Sequence, residues 1–147
     1  MSYQQAFSIS AAGMDVERTR VEVAALNLAN AHTVATVDGQ AFQPLRVVAH
    51  AALATSAMGG GTFAALMGQG VAGPTAAVEA SGAPARQVLE PGHPYADAKG
   101  FVSYPGVDTA TEMMSMMSAS RAYEANVVAM NIARNMALKA LDIGGGT

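Results

Sequence analysis

The stretch that decides the fold is PGVDTATEMMSMMSASRAYEANVVAMNIARNMALKALDIGGG, residues 105–146. Met113, Met116, Ser120, Tyr123, Val127, Met130, Arg134, Ala137 and Leu141 recur at alternating steps of three and four. That spacing predicts one long helix with an apolar stripe. Thr109 and Glu112 have capping-box spacing, and Asp108 competes as N-cap. Gly144, Gly145 and Gly146 supply the stop. At about 1.5 Å per residue the helix spans on the order of 50 Å, long for so short a chain. Met114, Met117, Val128, Ile132 and Leu138 fall off the stripe and also need cover.

Working outward, a second helical pattern covers roughly residues 3–31. Phe7, Ala11, Met14, Arg18, Val21, Ala25 and Leu28 form one heptad stripe, with a polar break at Arg18. Ile9, Val16 and Val23 form another line at steps of seven. A helix apolar on more than one line touches more than one neighbour. Between the helices, Phe42–Val48 reads as a strand with an edge position or late start because of Pro44. Val71–Ala80 and Arg86–Glu90 are weaker strand patterns, and Phe101–Tyr104 alternates after Gly100. Pro91-Gly92-His93-Pro94 is a turn or loop signal.

The expected fold class is therefore α+β. Long N- and C-terminal helices pack as a coiled-coil-like pair around a small β-rich insert. The divisions fall at 1–31, 32–107 and 108–147, with a flexible Ala/Gly-rich loop at about 51–78.

Composition narrows the function classes. The 147 residues are 51% hydrophobic but only 5% aromatic, which suits helix seams better than a wide aromatic pocket. Net charge is −3, and the 8 basic residues are scattered; a nucleic-acid partner needs a concentrated basic face. There is no cysteine, so disulfides, thiolate metal sites and cysteine nucleophiles are excluded. The start shows no secretory signal pattern. Residues 51–78 are uncharged, yet too rich in Ala and Gly for a membrane span, which wants about 20 strongly apolar residues. No cofactor and no direct membrane insertion are expected.

Single residues carry two readings each. Asn27 and Asn30 cap the end of the first helix or bond a neighbour's backbone. Asn126, Asn131 and Asn135 lie on solvated faces or fix register between helices. Arg18 and Arg134 snorkel, or pair with Glu112 or Glu124 of a neighbour. Tyr123 packs, with its hydroxyl at the edge. His32, His50 and His93, with Asp97 or Asp108, are the only basis for catalysis or zinc, and they lack metal-ligand spacing.

The off-stripe apolar residues exceed what two helices of one chain hide, which points to other chains. The alternatives are an intramolecular helical hairpin with a methionine-filled core, and a soluble helical adaptor that takes one partner helix in a groove.

Three segments carry a family likeness. Ser10-Ala11-Ala12-Gly13-Met14, followed by Leu26-Asn27-Leu28-Ala29-Asn30-Ala31-His32-Thr33, is similar to the N-terminal signature of axial flagellar proteins. Residues 90–102, from Glu90-Pro91-Gly92-His93-Pro94 to Val102, are similar to a loop of the short, C-type proximal rod subunit. Residues 104–108, then 112–126 through Arg121-Ala122-Tyr123-Glu124-Ala125-Asn126, resemble that family's C-terminal helix. Residues 49–85 match no part of the pattern.

The chain thus resembles the flagellar basal-body rod proteins. The resemblance implies a structural, non-enzymatic subunit of the proximal rod. It implies export through the flagellar type III apparatus without signal cleavage, and location in the periplasmic part of the basal body. The implied partners are other rod subunits, proximal and distal, further copies of itself, and the export-gate or MS-ring adaptor at the rod base. The expected assembly interface is Phe7, Met14, Val21, Asn27, Leu28, Asn30, Met113, Met116, Tyr123, Asn126, Val127, Met130 and Leu141. Pro91, Gly92, His93, Pro94, Asp97 and Gly100 form the family loop.

Overall fold

A computed structural model describes residues 3–34, 41–51 and 73–144. The element order is α1 (Tyr3–Asn30), β1 (Leu45–His50), β2 (Thr75–Ala80), β3 (Arg86–Leu89), β4 (Phe101–Tyr104) and α2 (Thr109–Gly144). The chain is α+β, with helices at both ends and two small two-stranded sheets between them. Most of the expected 51–78 loop, residues 52–72, lies outside the described residues. Its last part begins β2.

Local chemistry sets the boundaries. Pro44 has no N–H to give to a ladder, and β1 starts at the next residue. Ser81 N donates to Pro44 O at 2.7 Å, and Arg46 meets Glu79 at 3.3 Å, so β1 and β2 run antiparallel. β3 and β4 are antiparallel with Arg86 opposite Tyr104 and Leu89 opposite Phe101. Alternation puts Arg86, Val88, Val102 and Tyr104 on one face and Gln87, Leu89, Phe101 and Ser103 on the other.

At the start of α2, Asp108 wins the competition for the N-cap. Its Oδ1 accepts from Ala110 N at 3.1 Å, and its Oδ2 accepts from the Thr111 hydroxyl at 2.7 Å. The Thr111 bond, then the Ala110 N–H, hold the Asp108 carboxyl below its ordinary value. Thr109 is already inside the helix, and the Glu112 carboxylate turns elsewhere, so the capping-box reading gives way to a single Asp cap.

Two compact units divide the chain. One holds Met1–Thr19, Ala49–Ala77 and Ala119–Thr147. In it Val16 and Ala119 are buried, and the helices approach closely at Gly13. A Cβ placed there would lie 3.1 Å from the Asn126 amide atoms. The other unit holds Arg20–Val48 and Val78–Ser118. Its interior is Val23, Ala24, Asn27, Ala31, Val102 and Pro105. Fully burying a valine such as Val102 contributes about 1.5–3 kcal/mol.

The inward positions follow the expected lines only in part. Along α1 the buried residues are Val16, Val23, Ala24 and Asn27, which extend the Ile9–Val16–Val23 line. Phe7, Met14, Val21 and Leu28 are only half-buried, and Ala25 is exposed. Along α2 the covered positions are Glu112, Ser115, Met116, Ala119, Ala122, Asn126, Val127, Met130, Ala133 and Ala137. Met113, Ser120, Tyr123, Arg134 and Leu141 of the expected stripe are exposed. The reason is steric: the distance between packed helices is set by the side chains at the contact. Ser115, Ala119, Ala122, Ala133 and Ala137 take much of the covered side beside Met116, Val127 and Met130, while Met113, Met114, Met117, Val128 and Ile132 remain outside.

Candidate assembly surface

Asn27 is the most constrained polar group of the described residues. It is fully buried. Its Nδ2 donates to Leu45 O at 2.8 Å and to Glu112 Oε1 at 2.9 Å. Its Oδ1 accepts from Leu45 N at 2.9 Å. One amide thus ties the end of α1 to the start of β1 and the first turn of α2. A buried amide needs such partners, because an unsatisfied one costs about 1–3 kcal/mol. Neither sequence reading of Asn27 anticipated a clamp between distant elements of its own chain. Asn30 behaves as an end residue: its Nδ2 donates to Leu26 O at 2.8 Å, and Thr33 N donates to its carbonyl at 3.0 Å.

The family loop is locked by its own groups. Asp97 Oδ1 accepts from Lys99 N and Phe101 N, each at 2.8 Å. Glu90 N donates to Gly100 O at 2.8 Å. Gly100 has φ +82, and a Cβ there would lie 3.2 Å from Pro91 Cγ. His93 Nδ1 accepts from Tyr95 N at 3.2 Å, a structural use of that imidazole. Pro91, Gly92, Pro94 and Asp97 are exposed, while His93 and Gly100 are half-buried. Below the loop, the Tyr104 hydroxyl donates to Glu90 Oε2 at 3.1 Å. Burial, then the Glu90 carboxylate, raises the Tyr104 pKa, with Arg86 opposing.

Many bulky apolar side chains of α2 are exposed. Met113, Met114, Met117, Val128, Ile132, Met136, Leu138, Leu141 and Ile143 are all exposed, Val128 at 56% and Ile143 at 84%. Tyr123 is exposed too, while Met116, Val127 and Met130 are half-buried. Asn126 is half-buried, and its Nδ2 donates to Ala122 O at 3.0 Å. Asn131 and Asn135 are exposed. Arg18, Glu124 and Arg134 are exposed, and Glu112 is held by Asn27 rather than by an arginine.

Chemistry is sparse by comparison. A cleft of about 570 Å3 is lined by Ala, Gly, Pro, Phe42 and Gln43, with no ionisable side chain. Among the described residues no three His, Asp or Glu are grouped to hold a metal, and no helix is long and apolar enough to cross a membrane.

Two long end helices, one carrying bulky exposed apolar side chains away from its covered line, are the build of a structural subunit. The comparisons agree. The family described as flagellar basal body rod FlgEFG protein C-terminal matches residues 98–143, which take in β4 and nearly all of α2. The flagellar basal-body rod protein FlgC of Escherichia coli O6:H1 is 40% identical over 144 residues, 98% of this chain and 99% of its own length. The FlgC proteins of Salmonella typhimurium and Bacillus subtilis are 38% and 32% identical, each covering 98% of this chain and 99% of themselves. The chain belongs to the FlgC family of flagellar basal-body rod proteins.

Proposed function

We infer that this chain works by being built into a shaft. It is a structural subunit of the flagellar basal-body rod, and its contribution is contact area rather than catalysis. The observation that carries the reading is the exposed apolar side of α2. Covering it in a polymer contributes about 25 cal/mol per Å2. Contacts between unlike surfaces that do not close on themselves generate a helical filament, and long packed helices resist torsion. The partners on this reading are other proximal and distal rod subunits, further copies of the chain, and the adaptor at the rod base. The periplasmic segment of the rod is its place, reached through the flagellar type III apparatus without signal cleavage. The assembly-interface residues named from the sequence fit this reading best where they are exposed, at Met113, Tyr123 and Leu141.

Val128→Asp tests it. The side chain is exposed, so the purified subunit keeps its helix content by circular dichroism. Swimming and incorporation into basal bodies are lost. Normal motility with the variant in the rod would refute the assignment of this surface to assembly.

A further inference from the structure

We propose that the β3–β4 hairpin of one copy docks on the outer side of α2 of the next copy. Leu89 and Phe101 lie on Val128 and Ile132, and Lys99 pairs with Glu124. The inference rests on the rod-subunit reading and names the surfaces by which one copy meets another.

The hairpin carries its apolar residues in an unusual place. Val102, on the inward face, is fully buried. The outward face ends in Leu89, 59% exposed, directly opposite Phe101, 36% exposed. Two bulky apolar side chains paired on the wet face gain nothing there. The loop above them is fixed by the Asp97 carboxylate and the Glu90–Gly100 bond, so little ordering entropy is lost when they are covered. Rigid, exposed aromatic anchors have the character of binding hot spots.

The complementary surface is on the same chain. Glu124, Val128 and Ile132 follow one another at steps of four, so they form one line along α2. Val128 is 56% and Ile132 is 52% exposed. Their spacing, about 5–6 Å between Cβ atoms for helix neighbours four apart, matches the about 4.5–5.5 Å of a cross-strand pair. Charge completes the match. Lys99 lies two residues before Phe101, and Glu124 lies one turn before Val128. Both are exposed, and neither has an ion-pair partner among the described residues. A second copy therefore offers each surface the opposite charge beside an apolar pair of equal width. The two surfaces are unlike, so the contact repeats from copy to copy instead of closing as a dimer.

The chain has no cysteine, which makes crosslinking clean. Lys99→Cys and Glu124→Cys are placed together in the full chain, and assembled basal bodies are treated with a short bismaleimide, because the Cβ atoms of a Lys–Glu pair lie beyond the about 3.5–4.5 Å that a disulfide spans. A ladder of crosslinked dimers and higher species is expected, with no product from either single variant. In parallel, Lys99→Glu and Glu124→Lys each lower association about fivefold, and the double reversal restores it. Basal bodies that contain the chain but give no ladder, or dimers from a single-cysteine variant, overturn the docking and leave the rod assignment standing. A cysteine-free chain absent from basal bodies overturns both. A double reversal no better than the singles also overturns the pairing.

Discussion

Replacing Asn27 removes a buried amide with three partners. Two of its bonds are to neutral backbone groups, each worth about 1 kcal/mol net, and one is to a carboxylate, worth about 2 kcal/mol. Asn27→Ala therefore loses about 4 kcal/mol, less about 0.6 kcal/mol regained because alanine favours a helix more. A net loss of about 3 kcal/mol lowers Tm by about 10 °C in a chain of this size. Asn27→Asp has the same shape, keeps the Leu45 N–H bond and loses both donors. It also places a second carboxylate against Glu112, a repulsion of about 4 kcal/mol at an effective dielectric of 20. Near neutral pH it is thus worse than alanine. It recovers in acid, because protonation of the introduced carboxyl removes the repulsion and restores a donor. Adding Glu112→Gln to Asn27→Asp restores much of the loss at neutral pH. Thermal melts by circular dichroism at two pH values measure all of this. If Asn27→Asp is no worse than Asn27→Ala at neutral pH, and Glu112→Gln does not rescue it, the clamp reasoning is wrong.

Three further outcomes follow from local geometry. Gly13→Ala sets a helix-propensity gain of about 1 kcal/mol against overpacking of about 1–3 kcal/mol beside Asn126, whose amide is held on Ala122 O. A net loss of about 1 kcal/mol is expected in denaturant melts, and a gain would mean a looser seam. Gly100→Ala meets both the left-handed backbone, costing about 1–2 kcal/mol, and Pro91; faster hydrogen exchange at the Glu90 amide reports it. Asp108 has a lowered pKa, so its stabilisation is present above the ordinary 3.8 and is lost as pH falls through the folded-state value. The stability gap between the native chain and Asp108→Ala therefore narrows in acid, and a gap that stays constant below pH 3.8 contradicts the cap.

The elements themselves were legible because local rules acted alone. Pro44 delays β1, Asp108 marks the start of α2, and alternation places β4. The side of each helix that turns inward was not. Met113, Tyr123 and Leu141 have the apolar spacing of a core, yet Ala119, Ala122 and Ala133 took the covered side. A heptad pattern gives a period, and where two lines share that period it does not say which one faces the nearest helix. Asn27 stands out in the sequence near the end of α1, but its partners lie 18 and 85 positions away, beyond any spacing rule. The sequence pattern makes Leu89 and Phe101 strand residues; only the register shows them paired on the open face.

The central claim is that the outer side of α2 is bare in the free subunit and covered in the rod. Ile132→Cys, at a position 52% exposed in a chain with no other cysteine, reads it directly. The rate of maleimide labelling is compared in the purified subunit and in isolated basal bodies. The account predicts fast labelling of the free chain and strong protection in the assembly. Equal labelling in both would contradict it.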